Sequence, residues 1–274
     1  MHPLIPEFKA PVLNIPIGDW TIPLHGFGFL VALGFIFGSK VAMNRAKRFG
    51  LDPEAINRLV GWLVVGTFVG GHVGYGLMYK PEEYLANPIE FLKMWQGLSS
   101  FGGFVVCVPI AIWFFVSERK PVWPYLDSLA HGMAIGWFFG RMGCFVAHDH
   151  PGTPTEFWLG VYAICQPISD KNVACHDLGL YEALWSLTMF GVLWALDRRA
   201  WKPGVQVLLF GLSYGPLRFF MDYFRPLATD ARYGGFTPGQ YGAALVTVVC
   251  LVGLVVRLRS SDAPLAPATA PARA

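Results

Sequence analysis

Two arginines stand in the sequence where an apolar chain has least use for them. Arg141 follows the run AIGWFFG and opens GRMGCFVAHDHPG (residues 140–152), and Arg218 lies inside LLFGLSYGPLRFFMDYF. An arginine at the centre of a bilayer costs roughly 2.5–3.5 kcal/mol on insertion scales, and less near the interface, where its stem can snorkel. A guanidinium keeps its charge in a low dielectric and matches phosphate oxygens with a planar fork. Two of them at the ends of apolar segments therefore point to phosphate binding at a membrane surface, that is, to a phospholipid head group. The plainer reading is a pair of snorkelling anchors, with Arg218 also able to pair with Asp222 four residues on.

Other reactive groups gather near these arginines. His148, Asp149 and His150 follow Arg141 directly, and an imidazole with a carboxylate to orient it is a general base for a thiol or hydroxyl. His25 opens an apolar run in PLHGFG. Tyr214 precedes Arg218 by four residues, on the same helical face. His176, Tyr181 and Glu182 lie in CHDLGLYEAL, Ser99 and Ser100 precede Gly102 and Gly103, and Gly239 and Gln240 open the last apolar run. Glu182 can balance an arginine in a cavity or serve a purely structural ion pair. HDHPG also reads as a solvated turn punctuated by proline and glycine. His148 and His150 alone are too few for a metal, so no metal or other cofactor is expected, and the absence of CxxCH argues against attached haem. His72 and His131 read as hydrogen-bonded helix contacts, and Cys107, Cys144 and Cys250 as small packing residues.

The elements that position these groups are membrane helices. Of 274 residues 54% are hydrophobic and 14% charged, against about 25% charged in soluble domains. A net charge of +3 is accounted for by loop lysines and arginines, so a nucleic-acid partner is not expected. A span needs about 20 mostly apolar residues. Seven such segments occur, at about 24–43, 59–79, 100–117, 124–146, 178–197, 204–224 and 238–257. The start, MHPLIPEFKAPVLNIPIGDW, lacks a basic region leading into a short apolar core, so the first segment is expected to be retained as a span. Thirteen Lys and Arg fall on one side of the seven segments and six on the other, with Arg141 and Arg218 near span ends. The positive-inside rule then puts the N-terminus outside and the C-terminus in the cytoplasm. The expected fold is an all-α polytopic membrane protein: seven transmembrane helices in one domain over 1–257, with a small extracytoplasmic cap at about 147–177. A disordered cytoplasmic tail is expected over 258–274. Cys165 and Cys175 lie in the cap, where an oxidising compartment would join them.

In order along nearly the whole chain, these segments resemble the prolipoprotein diacylglyceryl transferase family. GRMGCFVAHDHPG is similar to its GRxGxFxxxxxxG signature, HDLGLYEAL to HPTxLYE, YGPLRFFMDYFR to YGxxRFxxExFR, and FTPGQYGA to its GQ segment. PLHGFGFLVALGF resembles its first span and WQGLSSFGG its HGG segment. The resemblance implies transfer of the diacylglyceryl group of phosphatidylglycerol to a lipobox cysteine of prolipoproteins, with release of glycerol phosphate, in the bacterial inner membrane. Its partners would be phosphatidylglycerol, the lipobox segment and the bilayer. Arg141 and Arg218 would hold the phosphate, with Tyr214, Glu182, Gly102, Gly103, Gly152 and Gln240 as further substrate-binding positions. The sequence departs from the family at several points: Phe101 stands at the HGG histidine, His25 at the first-span tyrosine, His72 at a second-span arginine, and His176-Asp177 at HP. The base is then sought among His148 and His150, with Asp149 beside them, and His25. The alternatives are a different acceptor or a non-catalytic lipid carrier that keeps the arginine pair.

Overall fold

The computed structural model describes residues 3–8, 12–17, 20–93, 97–165, 172–227 and 232–268, apart from the side chains at 15, 17, 20, 22, 24, 78, 79, 100, 101 and 104. The chain forms two compact units, Met1–Gly50 with Leu126–Ala274, and Leu51–Tyr125. The fold is mostly helical: α1 (Gly26–Arg48), α2 (Pro53–Tyr79), α3 (Pro81–Ala86), α4 (Ser100–Ser117), α5 (Val122–Ala147), α6 (Leu178–Leu196), α7 (Val205–Met221) and α8 (Pro238–Arg259). All seven apolar segments expected as spans fall on helices, α1, α2 and α4–α8. Four helical stretches, Gly26–Arg48, Pro53–Leu77, Leu178–Leu196 and Pro238–Arg259, are long and apolar enough to cross a membrane. α8 leaves Leu245, Val248, Val252 and Val256 exposed, and α4 leaves Val105, Val108, Ile112 and Val116 exposed. Apolar faces of this extent need lipid or a partner to cover them, which suits a polytopic membrane protein.

The expectation of an all-α chain needs correction. Among the described residues there is an antiparallel hairpin of β1 (Val12–Ile17) and β2 (Trp20–His25), with Val12 opposite His25. The cap is a three-stranded antiparallel sheet in the order β3 (Pro151–Pro154), β5 (Ala174–Asp177), β4 (Val161–Tyr162). These segments are short, and β1, β2 and β3 each contain proline, so their backbone groups pair between strands. The N-terminal segment extends the sheet, since Tyr162 N–H donates to Ile5 O at 3.1 Å and Leu4 N–H to Trp158 O at 3.1 Å. The tail also differs from expectation: residues 258 and 259 belong to α8, Leu265 N–H donates to Trp201 O and Ala268 N–H to Arg48 O. Residues 269–274 lie outside the described residues.

Cys165 and Cys175 are joined by a disulfide across ten residues, and both are buried under the sheet with Val161 and Ile164. Closing a loop of this length removes about 2–3 kcal/mol of entropy from the unfolded chain. The double variant C165S/C175S is expected to unfold its cap earlier. Limited proteolysis should show faster cleavage in the cap, while cleavage elsewhere is unchanged. Equal cap cleavage in both proteins would reject the stabilising role.

Helix contacts follow the rule of small residues in apolar interfaces, where close backbone approach supplies dispersion contacts. In the first unit a Cβ on Gly34 would meet Gly136 O at 2.8 Å, and one on Gly38 would meet Gly132 O at 2.8 Å, so α1 and α5 cross through paired glycines. In the second unit Gly70 and Gly74 of α2 meet Gly102 of α4 in the same way. His72 is fully buried there and bridges two backbone carbonyls, Gly97 O at 3.2 Å and Glu90 O at 3.1 Å.

A buried ionic network fixes the other ends of the first unit's helices. Arg45 of α1 donates to Asp197 at 3.0–3.2 Å and to Ser128 Oγ at 3.1 Å. Asp197 also accepts Arg48 and Gln206, and His131 Nε2 lies 3.4 Å from it. Asp127 of α5 accepts the backbone N–H of Gly204 (2.7 Å) and Val207 (2.9 Å), and so caps α7 from a neighbouring helix. A side-chain cap is needed because the residue before α7 is Gly204, which has φ +95° and no side chain of its own. This sets the position of α7, which carries Tyr214 and Arg218 at its far end.

Candidate active site

Glu182 organises the first half of the site. It lies one turn into α6, is 2% exposed, and would be costly as a lone charge in that position. Its Oε2 receives Arg141 Nε at 2.8 Å, Trp137 Nε1 at 3.2 Å and the Tyr214 hydroxyl at 3.4 Å. One carboxylate therefore gathers α5, α6 and α7. Trp137, four residues before Arg141, also places its ring 5.0 Å from the guanidinium carbon, and a guanidinium over an indole face is held by cation–π attraction. Trp137 and Trp185 flank the Tyr214 ring at 5.7 and 5.1 Å. Nothing in the local sequence marks Trp137 except its i−4 spacing from Arg141.

Asp222 organises the second half. It is 1% exposed and accepts Arg218 Nη1 and the Thr237 hydroxyl in two close hydrogen bonds, with Arg225 Nε at 3.4 Å. Thr237 is at the same time the N-cap of α8, where its hydroxyl accepts Gln240 N–H at 3.1 Å. A Cβ on Gly239 would lie 2.7 Å from Asp222 Oδ2 and 3.2 Å from Arg218 Nη2, so this position needs the bare backbone. The pairing of Arg218 with Asp222 foreseen from their spacing is present. It holds one edge of the guanidinium and leaves Nη2 without a hydrogen bond among the described residues. Arg141 is held likewise through Nε on Glu182, with Nη1 4.0 Å from Cys144 Sγ. Tyr214 lies within electrostatic reach of both arginines.

The histidines separate clearly. His148 sits beyond the end of α5 with φ +53°. Its Nε2 pairs with Phe8 O at 3.1 Å, its Nδ1 faces Asp177 Oδ2 at 3.7 Å, and its ring lies 4.4 Å from that of Phe8. The Asp177 carboxylate holds its pKa above the ordinary imidazole value. His148 thus clips the N-terminal segment to the cap. His150 is different: Nδ1 is buried without a hydrogen-bond partner among the described residues, and burial, reinforced by the Arg141 guanidinium, pushes its pKa down. Asp149 is exposed, and its carboxylate, one His150 nitrogen and Cys144 Sγ lie within 4.8 Å of one another. His176 Nδ1 meets the Tyr181 hydroxyl at 2.8 Å, and burial lowers its pKa.

The remaining expected positions take packing or capping places. His25 is exposed at the N-terminus of α1, and among the described residues no contact joins it to either arginine. Gln240 is fully buried, with its oxygen accepting Thr237 N–H at 3.0 Å and its amide donating to Phe219 O at 3.2 Å. One end of the side chain closes the N-cap of α8 and the other ties α8 to α7. Gly152 lets β3 approach Phe224 O and His176, which a Cβ would meet at 2.7 and 2.9 Å. Gly102 and Gly103 belong to the second unit, in the crossing of α4 with α2. The side chain of Phe101 lies outside the described residues.

The sequence profile described as prolipoprotein diacylglyceryl transferase matches residues 15–256. A Chromohalobacter salexigens protein named phosphatidylglycerol–prolipoprotein diacylglyceryl transferase is 31% identical over 254 residues, covering 92% of each chain. A Pseudomonas putida protein of the same name is 33% identical over 262 residues, 92% of this chain and 94% of its own. One from Pseudomonas entomophila is 33% identical over 282 residues, 97% of this chain and all of its own. With a family profile spanning most of its length and such relatives aligned nearly end to end, this chain belongs to the prolipoprotein diacylglyceryl transferase family.

Proposed function

We propose that the chain transfers the diacylglyceryl group of phosphatidylglycerol to the lipobox cysteine thiol of prolipoproteins. The relatives' names carry the reaction class, and the observation that supports it in this chain is the arginine pair. Arg141 is held by Glu182 and Arg218 by Asp222, each through part of its fork. In the reaction the lipobox thiol loses its proton to a base, and the sulfur attacks the diacylglyceryl carbon that bears the phosphate ester oxygen. A C–S bond forms and that C–O bond breaks. Its electron pair stays with the phosphate, which leaves as glycerol phosphate. The phosphate begins as a singly charged diester and ends as a monoester of higher charge. Fixed guanidinium groups therefore stabilise the transition state and leaving group more than the bound lipid, which is the condition for catalysis.

His150 suits the base. It follows Arg141 in the chain, burial holds its pKa below the ordinary imidazole value, and among the described residues its Nδ1 has no hydrogen-bond partner. A thiol with an ordinary pKa of about 8.5 needs only a modest base. Asp149 lies beside it, Tyr214 supports the phosphate between the two arginines, and His148 secures the cap. The protein then works as a single seven-span domain with its cap at about 147–177. It stands in the bacterial inner membrane with the N-terminus and the arginine pair on the outer side, as the excess of Lys and Arg in the opposite loops requires.

Protein in phosphatidylglycerol vesicles, mixed with a lipobox peptide, is expected to release glycerol phosphate as the peptide gains the mass of a diacylglyceryl group. Lipid binding without release would replace this reading with a carrier. Release without peptide modification would point to a different acceptor.

A further inference from the structure

Beyond the end of α5, His150 and Asp149 meet a third group, the Cys144 thiol, which the transfer reaction does not use. Cys144 is buried in the last turn of α5. The chain then folds back on itself, with His148 N–H donating to Phe145 O and Asp149 N–H to Cys144 O, both at 3.2 Å. That turn brings a thiol, a carboxylate and an imidazole together, with one ligand atom from each inside 4.8 Å of the others. Independently, the His150 ring carries a buried nitrogen, Nδ1, with no hydrogen-bond partner among the described residues. Arg141 Nη1 donates to Cys144 Sγ at 4.0 Å.

We propose that Cys144, Asp149 and His150 form a zinc site beside Arg141, and that zinc bound there blocks diacylglyceryl transfer. Sulfur, nitrogen and a single carboxylate oxygen are the donor set of Zn2+, whereas Mg2+ and Ca2+ take oxygen ligands alone. Zinc bonds of about 2.0–2.3 Å place tetrahedral ligand atoms roughly 3.3–3.8 Å apart. The three atoms must therefore close by about 1 Å, which rotation of Asp149 and His150, both beyond the helix end, can supply. On binding, a Zn–S bond forms, the thiol proton passes to solvent, and no electrons are transferred. The charges then balance locally: Zn2+ and Arg141 against the Cys144 thiolate, Asp149 and Glu182. Three protein ligands leave the fourth position of the ion to water. The binding claim stands on geometry alone; the block rests on the reading of His150 as base, because a ligated imidazole cannot take a proton.

The test uses the full-length protein in lipid nanodiscs, first stripped with a chelator. Zinc is titrated against a chromophoric competitor, and alkylation of each free cysteine is followed by peptide mass mapping. About one zinc per chain is expected. Zinc should slow Cys144 alkylation at least about tenfold while Cys107 and Cys250 react as before, since a metal-bound thiolate is withdrawn from attack. C144S and H150Q should each weaken zinc binding at least about tenfold. C144S should keep its transfer rate when zinc is added, whereas the unaltered protein loses it. Equal Cys144 alkylation with and without zinc, or undiminished zinc binding by C144S, overturns the site. Zinc protection of Cys144 in a protein that never releases glycerol phosphate would uphold the site and overturn the transferase reading. Transfer that continues with zinc bound and Cys144 protected would overturn the block.

Discussion

Arg218→Ala is expected to lower glycerol phosphate release from phosphatidylglycerol by about 10²–10³-fold or more, the usual cost of removing one preorganised donor from a developing anion. Two effects act together. The phosphate loses a cationic fork, and Asp222, 1% exposed, loses the close partner that helps to hold its charge. Asp222 keeps Thr237 and Arg225, so the helix junction is expected to survive. Arg218→Lys should recover little, because an ammonium cannot contact Asp222 through one edge and a phosphate through the other as a planar fork does. Arg141→Ala should lose as much activity. Its Glu182 retains hydrogen bonds from Trp137 and Tyr214, so thermal melting should separate loss of chemistry from loss of fold. Near-normal release by a well-folded Arg218→Ala protein would end the phosphate-clamp reading.

His150→Gln is expected to lower the rate by about 10²–10⁴-fold, the range supplied by a positioned general base, and to remove a limb from the pH–rate profile. The sign follows from the protonation state. Only neutral imidazole accepts the thiol proton, so the rate rises as pH rises through the His150 pKa. Burial and Arg141 push that value below its ordinary level near 6.5, so the half-rise should fall on the acid side of about pH 6.5. A depressed pKa also means that His150 favours the folded state above that region and opposes it as pH falls through the folded value. His148 has the opposite sign. Asp177 raises its pKa, so its contribution to stability is present below about pH 6.5 and fades as pH rises through the folded value. His148→Gln should therefore loosen the cap in mild acid and change the rate much less than His150→Gln. If His150→Gln keeps both the rate and the acid limb, deprotonation is done elsewhere, with the solvent or the lipid phosphate as the remaining acceptors.

Much of the scaffold was legible because membrane helices write themselves locally. A run of apolar residues must satisfy its backbone within itself, so each of the seven segments appears as a helix, and the segment at 100–117 has the observed ends of α4. The two arginines stand out for the same reason in reverse, since a charge that lipid opposes needs partners, and each has a carboxylate. Their carboxylate partners were only half visible. Asp222 lies one turn from Arg218, so its pairing follows from helix geometry, whereas Glu182 lies on another helix and its pairing with Arg141 does not. His72 and His131 were read correctly as hydrogen-bonded helix contacts.

Sequence alone was enough for the helical framework, the positions of the two arginines and the family. Each is recorded in residue types at short spacing or in motifs kept in order. The tertiary structure decided what each polar group does. Gln240 resembled a substrate contact and is used in the α8 cap. Gly102 and Gly103 resembled a binding loop and lie in a helix crossing. Neighbouring His148 and His150 looked equivalent, yet one is bound to Phe8, 140 residues away, while the other lies beside a thiol and a carboxylate. The physical reason is that the role of a buried polar side chain is set by which partner meets its hydrogen-bonding demand. That partner is fixed by how distant segments pack, which neither composition nor periodicity records.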